Sequence, residues 1–109
     1  MTYKAHIHPA FDDDVVQIVA WLRKSSPANA HDFVNVAYDE IDIVLNELDH
    51  NVFHQNKRPV KSRAVGKFKN HFIYYTVDTD EKSMMVLAVM FGGRNPDLIS
   101  QIVEARLKK

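Results

Sequence analysis

The sequence predicts an α+β domain with the element order βααβββα. Apolar and polar residues alternate at the amino terminus, as in a half-buried strand, and two stripes of helical spacing follow. Three runs rich in aromatic and β-branched residues come later, with turns between them too short for a crossover helix. We therefore expect an amino-terminal strand and a helical hairpin packed on an antiparallel sheet, with a carboxy-terminal helix. The length of 109 residues suits one domain, residues 1–109.

The first strand and first helix are predicted from short-range periodicity. Tyr3, Ala5 and Ile7 alternate with polar residues, and Pro9 ends the strand. A helix is predicted over 12–24, because three aspartates supply negative charge to its first turn. Its apolar stripe comprises Val15, Ile18, Val19 and Leu22.

The second helix is predicted from Pro27 to about residue 49. Ser26 suits the N-cap, and proline suits the first helical position because its missing N–H costs nothing there. The short connection predicts that the two helices lie antiparallel as a hairpin with acidic outer surfaces. One face of the second helix carries Ala30, Phe33, Val34, Ala37, Ile41, Val44, Leu45 and Leu48.

The second half is predicted to be a loop, three strands and a helix. Residues 50–59 lack periodicity, and the strands are expected over 60–65, 68–77 and 83–91. The last of these is apolar on both faces, which predicts a central strand. Two glycines follow it, and Asn95-Pro96 can then open the final helix.

Composition and charge narrow the function classes. The 14 basic residues balance the 14 acidic ones, which excludes binding driven by a large net charge. Residues 1–53 carry nine acids and three bases, whereas residues 54–109 carry eleven bases and five acids. This division suggests either two faces with different partners or neutralisation of one half by the other within the fold.

Several kinds of site are not expected. The chain has no cysteine, so disulfides, thiolate nucleophiles and cysteine zinc sites are excluded. Its six histidines show no metal-ligand spacing, and we predict neither a metal site nor a cofactor. The longest apolar run, over 84–91, is too short to span a membrane, and no signal-peptide core follows the start. We expect a cytoplasmic protein with no membrane partner.

Four segments in order carry a family resemblance. They are SPANA at 26–30, RAVGKF at 63–68, FIYYTV at 72–77 and VMFGGRNP at 89–96. Together they resemble the ParE/RelE superfamily of type II toxins, over nearly the whole chain. The resemblance implies a toxin of a plasmid stabilisation system, held as a hetero-oligomer by a cognate antitoxin protein that lies along its groove and sheet.

The superfamily has two targets, DNA gyrase for ParE-like members and the ribosome for RelE-like endoribonucleases. RelE-like enzymes place one Arg in the middle strand, another after the glycine turn, and often an acid/base His or Tyr beyond it. Here Phe72 stands at the middle-strand position, residues 95–109 contain neither His nor Tyr, and only Arg94 matches. RNA cleavage through the 2′-OH needs proton-transfer groups and cations, so the ParE-like assignment is favoured.

The ParE-like assignment implies a non-enzymatic inhibitor that traps the cleavage complex of gyrase, with no catalytic residue. Phe91 stands where many ParE-like sequences carry His before the glycine, which leaves open an attenuated toxin or a degenerate module that only binds antitoxin. The ribonuclease also stays open, because Lys67, Lys69 and His71 lie near one another in sequence.

Target- or antitoxin-binding residues are expected around the last strand and helix. We expect Arg94 to contact a partner, whereas Arg63 is more easily explained as an ion pair with the hairpin. Trp21 lies off the main apolar stripe of the first helix, and we favour packing under the hairpin for it over contact with a partner. The full predicted set is Arg63, Lys67, Lys69, Phe91, Arg94, Leu98, Ile99 and Ile102.

Overall fold

Seven elements follow one another in the predicted order βααβββα, in a computed structural model that describes residues 2–50 and 60–108. The predicted loop lies outside the described residues except for His50, which is in a turn. The elements are β1 (Lys4–Ile7), α1 (Ala10–Ser25), α2 (Pro27–Asp49), β2 (Lys61–Val65), β3 (Phe68–Asp78), β4 (Ser83–Phe91) and α3 (Pro96–Leu107).

Residue types and hydrogen bonds near each amino-terminal end explain where the helices begin. α1 begins two residues earlier than predicted, at Ala10, whose N–H donates to His8 Nδ1 at 3.0 Å. Ser26 occupies the N-cap of α2 with extended backbone and Pro27 follows it, as predicted, although the serine side chain makes no capping bond. At α3, Asn95 Oδ1 accepts from the Asp97 N–H at 2.9 Å, which caps the last helix.

The sheet is mixed, in the order β1-β4-β3-β2. Strands β2, β3 and β4 form the predicted antiparallel meander, but β1 pairs parallel with β4. The predicted antiparallel sheet of three strands is therefore confirmed, and β1 adds a parallel fourth strand whose direction the sequence did not predict. About 50 residues, including both helices of the hairpin, separate β1 from β2, and such a long connection leaves β1 free to run parallel to a later strand.

Two apolar clusters lie on opposite faces of the sheet. Ile73 and Tyr75 of β3 join the larger cluster with α1 and α2, whereas Tyr74 points to the smaller one. The smaller cluster is closed by Val103 of α3. The largest fully buried side chains are Phe11, Phe33, Ile73, Met84, Leu87, Val65, Val86 and Val89.

Val34 of α2 and Trp21 of α1 are more exposed than their predicted roles require. Val34 belongs to the predicted apolar face of α2, but 37% of its surface is in solvent. The prediction that Trp21 packs under the hairpin is wrong, because 62% of it is exposed. Leu22, its neighbour, takes the buried position, and the apolar stripe of α1 therefore leaves the indole on a different face.

Gly66 in the β2–β3 turn is required by its backbone conformation. Its φ is +45°, and an added Cβ would lie 2.6 Å from Val36 Cγ1 on α2. We expect Gly66→Ala to lower the free energy of unfolding by about 2 kcal/mol in urea denaturation. Ser62→Ala, at an exposed position of β2, is the control and should change little. Equal stability of the Gly66 variant and the parent would show that the turn does not need glycine.

Candidate functional site

A pocket of about 410 Å³ lies between α1 and the end of β4. Four of its residues come from α1 at positions i, i+3, i+4 and i+7, so they share one face of that helix. The lining residues are Asp14, Gln17, Ile18 and Trp21 of α1, His71 of β3, Val89, Met90 and Phe91 of β4, and Arg94.

The pocket lies where β4 extends beyond the end of its neighbour β1. The parallel pairing with β1 ends at Val86, so in the described ranges the rest of β4 has no strand on that side. Gly92 N donates to Asn70 O at 2.7 Å. By antiparallel alternation, the backbone groups of Val89 and Phe91 then point away from β3, toward the pocket.

A buried ion pair closes part of this open edge. Asp14 Oδ2 accepts from Arg106 Nη1 at 2.5 Å and from the Val89 N–H at 3.2 Å, while Oδ1 accepts from Arg106 Nη2 at 2.9 Å. Arg106 Nη1 also donates to Leu87 O at 2.9 Å. The two side chains thus satisfy β4 backbone groups that no strand pairs in the described part of the chain, and Arg106 neutralises the Asp14 carboxylate inside the pocket.

Gly92 and Gly93 allow the close turn of the backbone that precedes Arg94. An added Cβ on Gly92 would lie 2.5 Å from Phe72 Cε2, and one on Gly93 would lie 2.4 Å from Phe91 Cε2. Arg94 N donates to Phe91 O at 3.3 Å, which closes the turn. Because both aromatic rings lie against these glycines, the chain turns closely there and brings Arg94 to the pocket wall.

Arg94 is the cation of this pocket that remains available to a partner. It is exposed, and within residues 2–50 and 60–108 its side chain has no hydrogen bond or ion pair. Arg106, in contrast, is held by Asp14. Phe91, whose carbonyl accepts from Arg94 N, is 44% exposed. The structure therefore places two predicted binding residues, Arg94 and Phe91, together at one site.

His71 forms an aromatic wall of the pocket. Its ring centroid lies 5.4 Å from that of Phe33 and 5.7 Å from that of Phe91, and only 7% of the residue is exposed. Burial lowers the pKa of His71 from its ordinary value of 6.5. The imidazole is therefore neutral at pH 7, with one ring nitrogen able to donate and the other able to accept.

The buried imidazole makes folding stability sensitive to acid. The folded protein resists protonation of His71, whereas the unfolded chain takes up this proton as the pH falls below about 6.5. We expect the contribution of His71 to stability to be present above pH 6.5 and to be lost on acidification, so the free energy of unfolding should fall between pH 7.5 and pH 5.

The variant His71→Phe isolates this effect, because phenylalanine suits the surrounding rings and does not titrate. Urea denaturation across the same pH range should give a shallower pH dependence for this variant than for the parent. His6→Gln, at an exposed strand position, should keep the slope of the parent. Identical slopes for the parent and His71→Phe would contradict the assigned cause.

The other predicted cations, which lie in β2, in β3 and in the turn between them, do not line this pocket. Arg63 faces α2, where Nε lies 2.6 Å from Glu40 Oε2 and Nη1 lies 2.7 Å from Glu47 Oε2. The Glu47 hydrogen bond, then the Glu40 bond, raise the pKa of Arg63 against the opposing effect of burial. Lys67 Nζ lies 2.8 Å from Asp32 Oδ2 on the exposed surface. Lys69 is exposed.

The predicted residues of α3 divide between core and surface. Leu98 is 45% exposed, whereas Ile99 and Ile102 are half-buried and pack against the smaller apolar cluster. Helix α3 therefore closes this face of the sheet mainly through Val103, and Leu98 is left as an apolar contact near Arg94 in sequence.

Sequence reasoning missed the contribution of α1 to the site. Gln17 and Trp21 were not among the predicted binding residues, although the spacing from Asp14 places all three on one helical face. The available signal was a tryptophan off the main apolar stripe. What the sequence did not reveal was that β1 pairs with β4 only as far as Val86, which leaves room for this face beside the rest of β4.

In comparisons with models of known protein families and with curated proteins, nothing matches this chain. Among the described residues, no group of three or more His, Cys, Asp or Glu side chains is arranged to hold a metal ion. None of the helices in the described part of the chain has the length and apolar character needed to cross a membrane.

Proposed function

We propose that this protein is the toxin of a type II toxin–antitoxin system, of the ParE-like kind, which binds DNA gyrase and is neutralised by a cognate antitoxin. The observation that carries the proposal is the placement of Arg94. An exposed arginine without an internal partner among the described residues follows a glycine pair and stands beside an apolar pocket. The family resemblance assigns partner contacts to this position.

The surroundings of Arg94 suit a protein partner. Phe91 and Leu98 are both exposed and lie within four residues of Arg94 on either side. A planar guanidinium at the same pocket as an exposed aromatic ring is typical of residues that contribute strongly to protein interfaces. Binding through such a surface needs no catalytic group, in keeping with inhibition of gyrase by trapping its cleavage complex. Gyrase and an antitoxin would both be met in the bacterial cytoplasm.

Induced expression in a bacterial host tests this proposal against its alternatives. We expect growth arrest with broken chromosomal DNA and intact mRNA. Arg94→Gln should relieve the arrest, whereas Arg23→Gln, at another exposed arginine, should not. Normal growth at full expression of folded protein would instead favour a non-toxic module that only binds antitoxin.

A ribosome-dependent endoribonuclease is the second candidate, and one observation favours it. His71 and Arg94 line the same pocket, so an imidazole and a cation converge there as RNA cleavage requires. In this case expression would cut mRNA in the ribosomal A site and leave DNA intact. His71→Gln and Arg94→Gln would then each abolish cleavage.

A further inference from the structure

We infer that the pocket between α1 and β4 is a binding site for a nucleoside monophosphate, whose base stacks on Trp21 and whose phosphate is held by Arg94. This inference goes beyond gyrase binding and does not depend on it. It assigns a ligand to a helix α1 surface that the family resemblance leaves without a role.

Two large aromatic side chains stand exposed at the same pocket. Trp21 is 62% exposed and Phe91 is 44% exposed, and both line the pocket. Exposed aromatic surface that gathers at one concavity marks a binding site rather than a packing residue. Every nucleobase offers a flat π face to such rings, so stacking is the interaction that this arrangement supplies.

The charges of the pocket favour an anion. The planar guanidinium of Arg94 offers donors that match a phosphate. Within the described residues, no carboxylate of the protein pairs with this guanidinium. Asp14 is the carboxylate that lines the pocket, and both of its oxygens accept from Arg106. Its charge is therefore compensated inside the protein, so that it does not repel a phosphate.

Polar side chains are also available for the edge of the base. Gln17 is exposed one helical turn before Trp21 and presents an amide with both donors and an acceptor. His71 adds a neutral imidazole on the opposite wall. An acidic peptide segment would also pair with Arg94, but an Asp or Glu side chain has no flat ring to lie on Trp21, whereas a nucleotide carries its anion and a flat base in one molecule. The observations thus favour a nucleotide.

The experiment uses the full chain and its single tryptophan, Trp21, as the reporter. Titration with AMP, GMP, CMP and UMP should give saturable quenching of tryptophan fluorescence at concentrations up to about 10 mM. Inorganic phosphate alone and adenosine alone should each bind at least tenfold more weakly than AMP. Short single-stranded RNA is compared with the free nucleotides. Tighter binding of the strand would show that the natural ligand is a nucleotide within RNA, and equal binding would show that it is a free nucleoside monophosphate.

Matched variants separate the site from unspecific quenching. Arg94→Gln should weaken AMP binding at least tenfold, and Arg23→Gln should leave it unchanged. Trp21→Ala, followed by calorimetry since the reporter is lost, should weaken binding at least fivefold with unchanged circular dichroism. Absence of saturation, equal affinity of Arg94→Gln, or binding of a glutamate-rich peptide in place of nucleotides would overturn the inference. Gyrase takes no part in this measurement, so its outcome is independent of the proposed function.

Discussion

Arg106→Met is expected to lower the free energy of unfolding by about 3 kcal/mol, because it leaves the buried Asp14 carboxylate without its cation. The methionine keeps the apolar stem of the arginine, so the loss isolates the charged hydrogen bonds. Side chains of this pair are only 16% and 11% exposed, and they join α3 and α1 to the open edge of β4. Urea denaturation followed by circular dichroism measures the change.

A double variant tests the reason for this loss. Asp14→Asn combined with Arg106→Met removes both charges but keeps an acceptor for the Val89 N–H. We expect it to recover more than half of the stability lost by Arg106→Met alone, since an unpaired buried charge costs more than a missing pair. Arg23→Met, at an exposed site, should stay within about 0.5 kcal/mol of the parent. A single variant as stable as the parent would show that the pair does not secure α3.

Glu40→Ala should have an effect of similar size, about 3 kcal/mol, measured in the same way. Glu40 is 5% exposed, and its Oε2 accepts from Arg63 Nε at 2.6 Å. Its Oε1 accepts from the Gly66 N–H at 2.9 Å. One carboxylate therefore satisfies both an arginine and a turn amide, and alanine would leave both donors without this partner.

The neighbouring position supplies the control for Glu40. Asp39→Ala removes an acid from the same helix but at an exposed site, and it should cost less than about 0.5 kcal/mol. Glu47→Ala should fall between the two, because Glu47 is partly exposed and shares Arg63 with Glu40. An equal cost for the variants at residues 39 and 40 would contradict the role given to the buried carboxylate.

Local patterns predicted the elements of this fold well. The stripe of α2 and the Ser26-Pro27 start are short-range features, and each appears where it was predicted, apart from the exposed Val34. The parallel pairing of β1 with β4 depends instead on contacts between segments that are distant in sequence. The local spacing of apolar residues, which spans only a few positions, does not predict such a pairing. The same holds for Asp14, which reads as one of three acids at a helix start but pairs with Arg106 across 92 residues.

The candidate site was predictable only in part. The glycine pair and Arg94 stand out in sequence because a cation follows a break in a buried strand, and the structure places Arg94 exposed at a pocket. For Arg63 the sequence favoured an ion pair with the hairpin over a partner contact, but it did not identify the acids. Here it meets Glu40 and Glu47. Trp21 lines the site because the pairing of β1 with β4 ends at Val86, and the sequence did not predict this pairing.

The central claim, that Arg94 serves the inhibition of gyrase, is tested most directly with purified components. Increasing amounts of the protein are added to DNA gyrase and relaxed plasmid at a fixed, stated salt concentration, because charge contacts weaken as salt rises. We predict loss of supercoiling and accumulation of cleaved plasmid, with Arg94→Gln at least tenfold less effective and Arg23→Gln as effective as the parent. Unchanged supercoiling and no cleaved DNA at a large molar excess of folded protein would contradict the account.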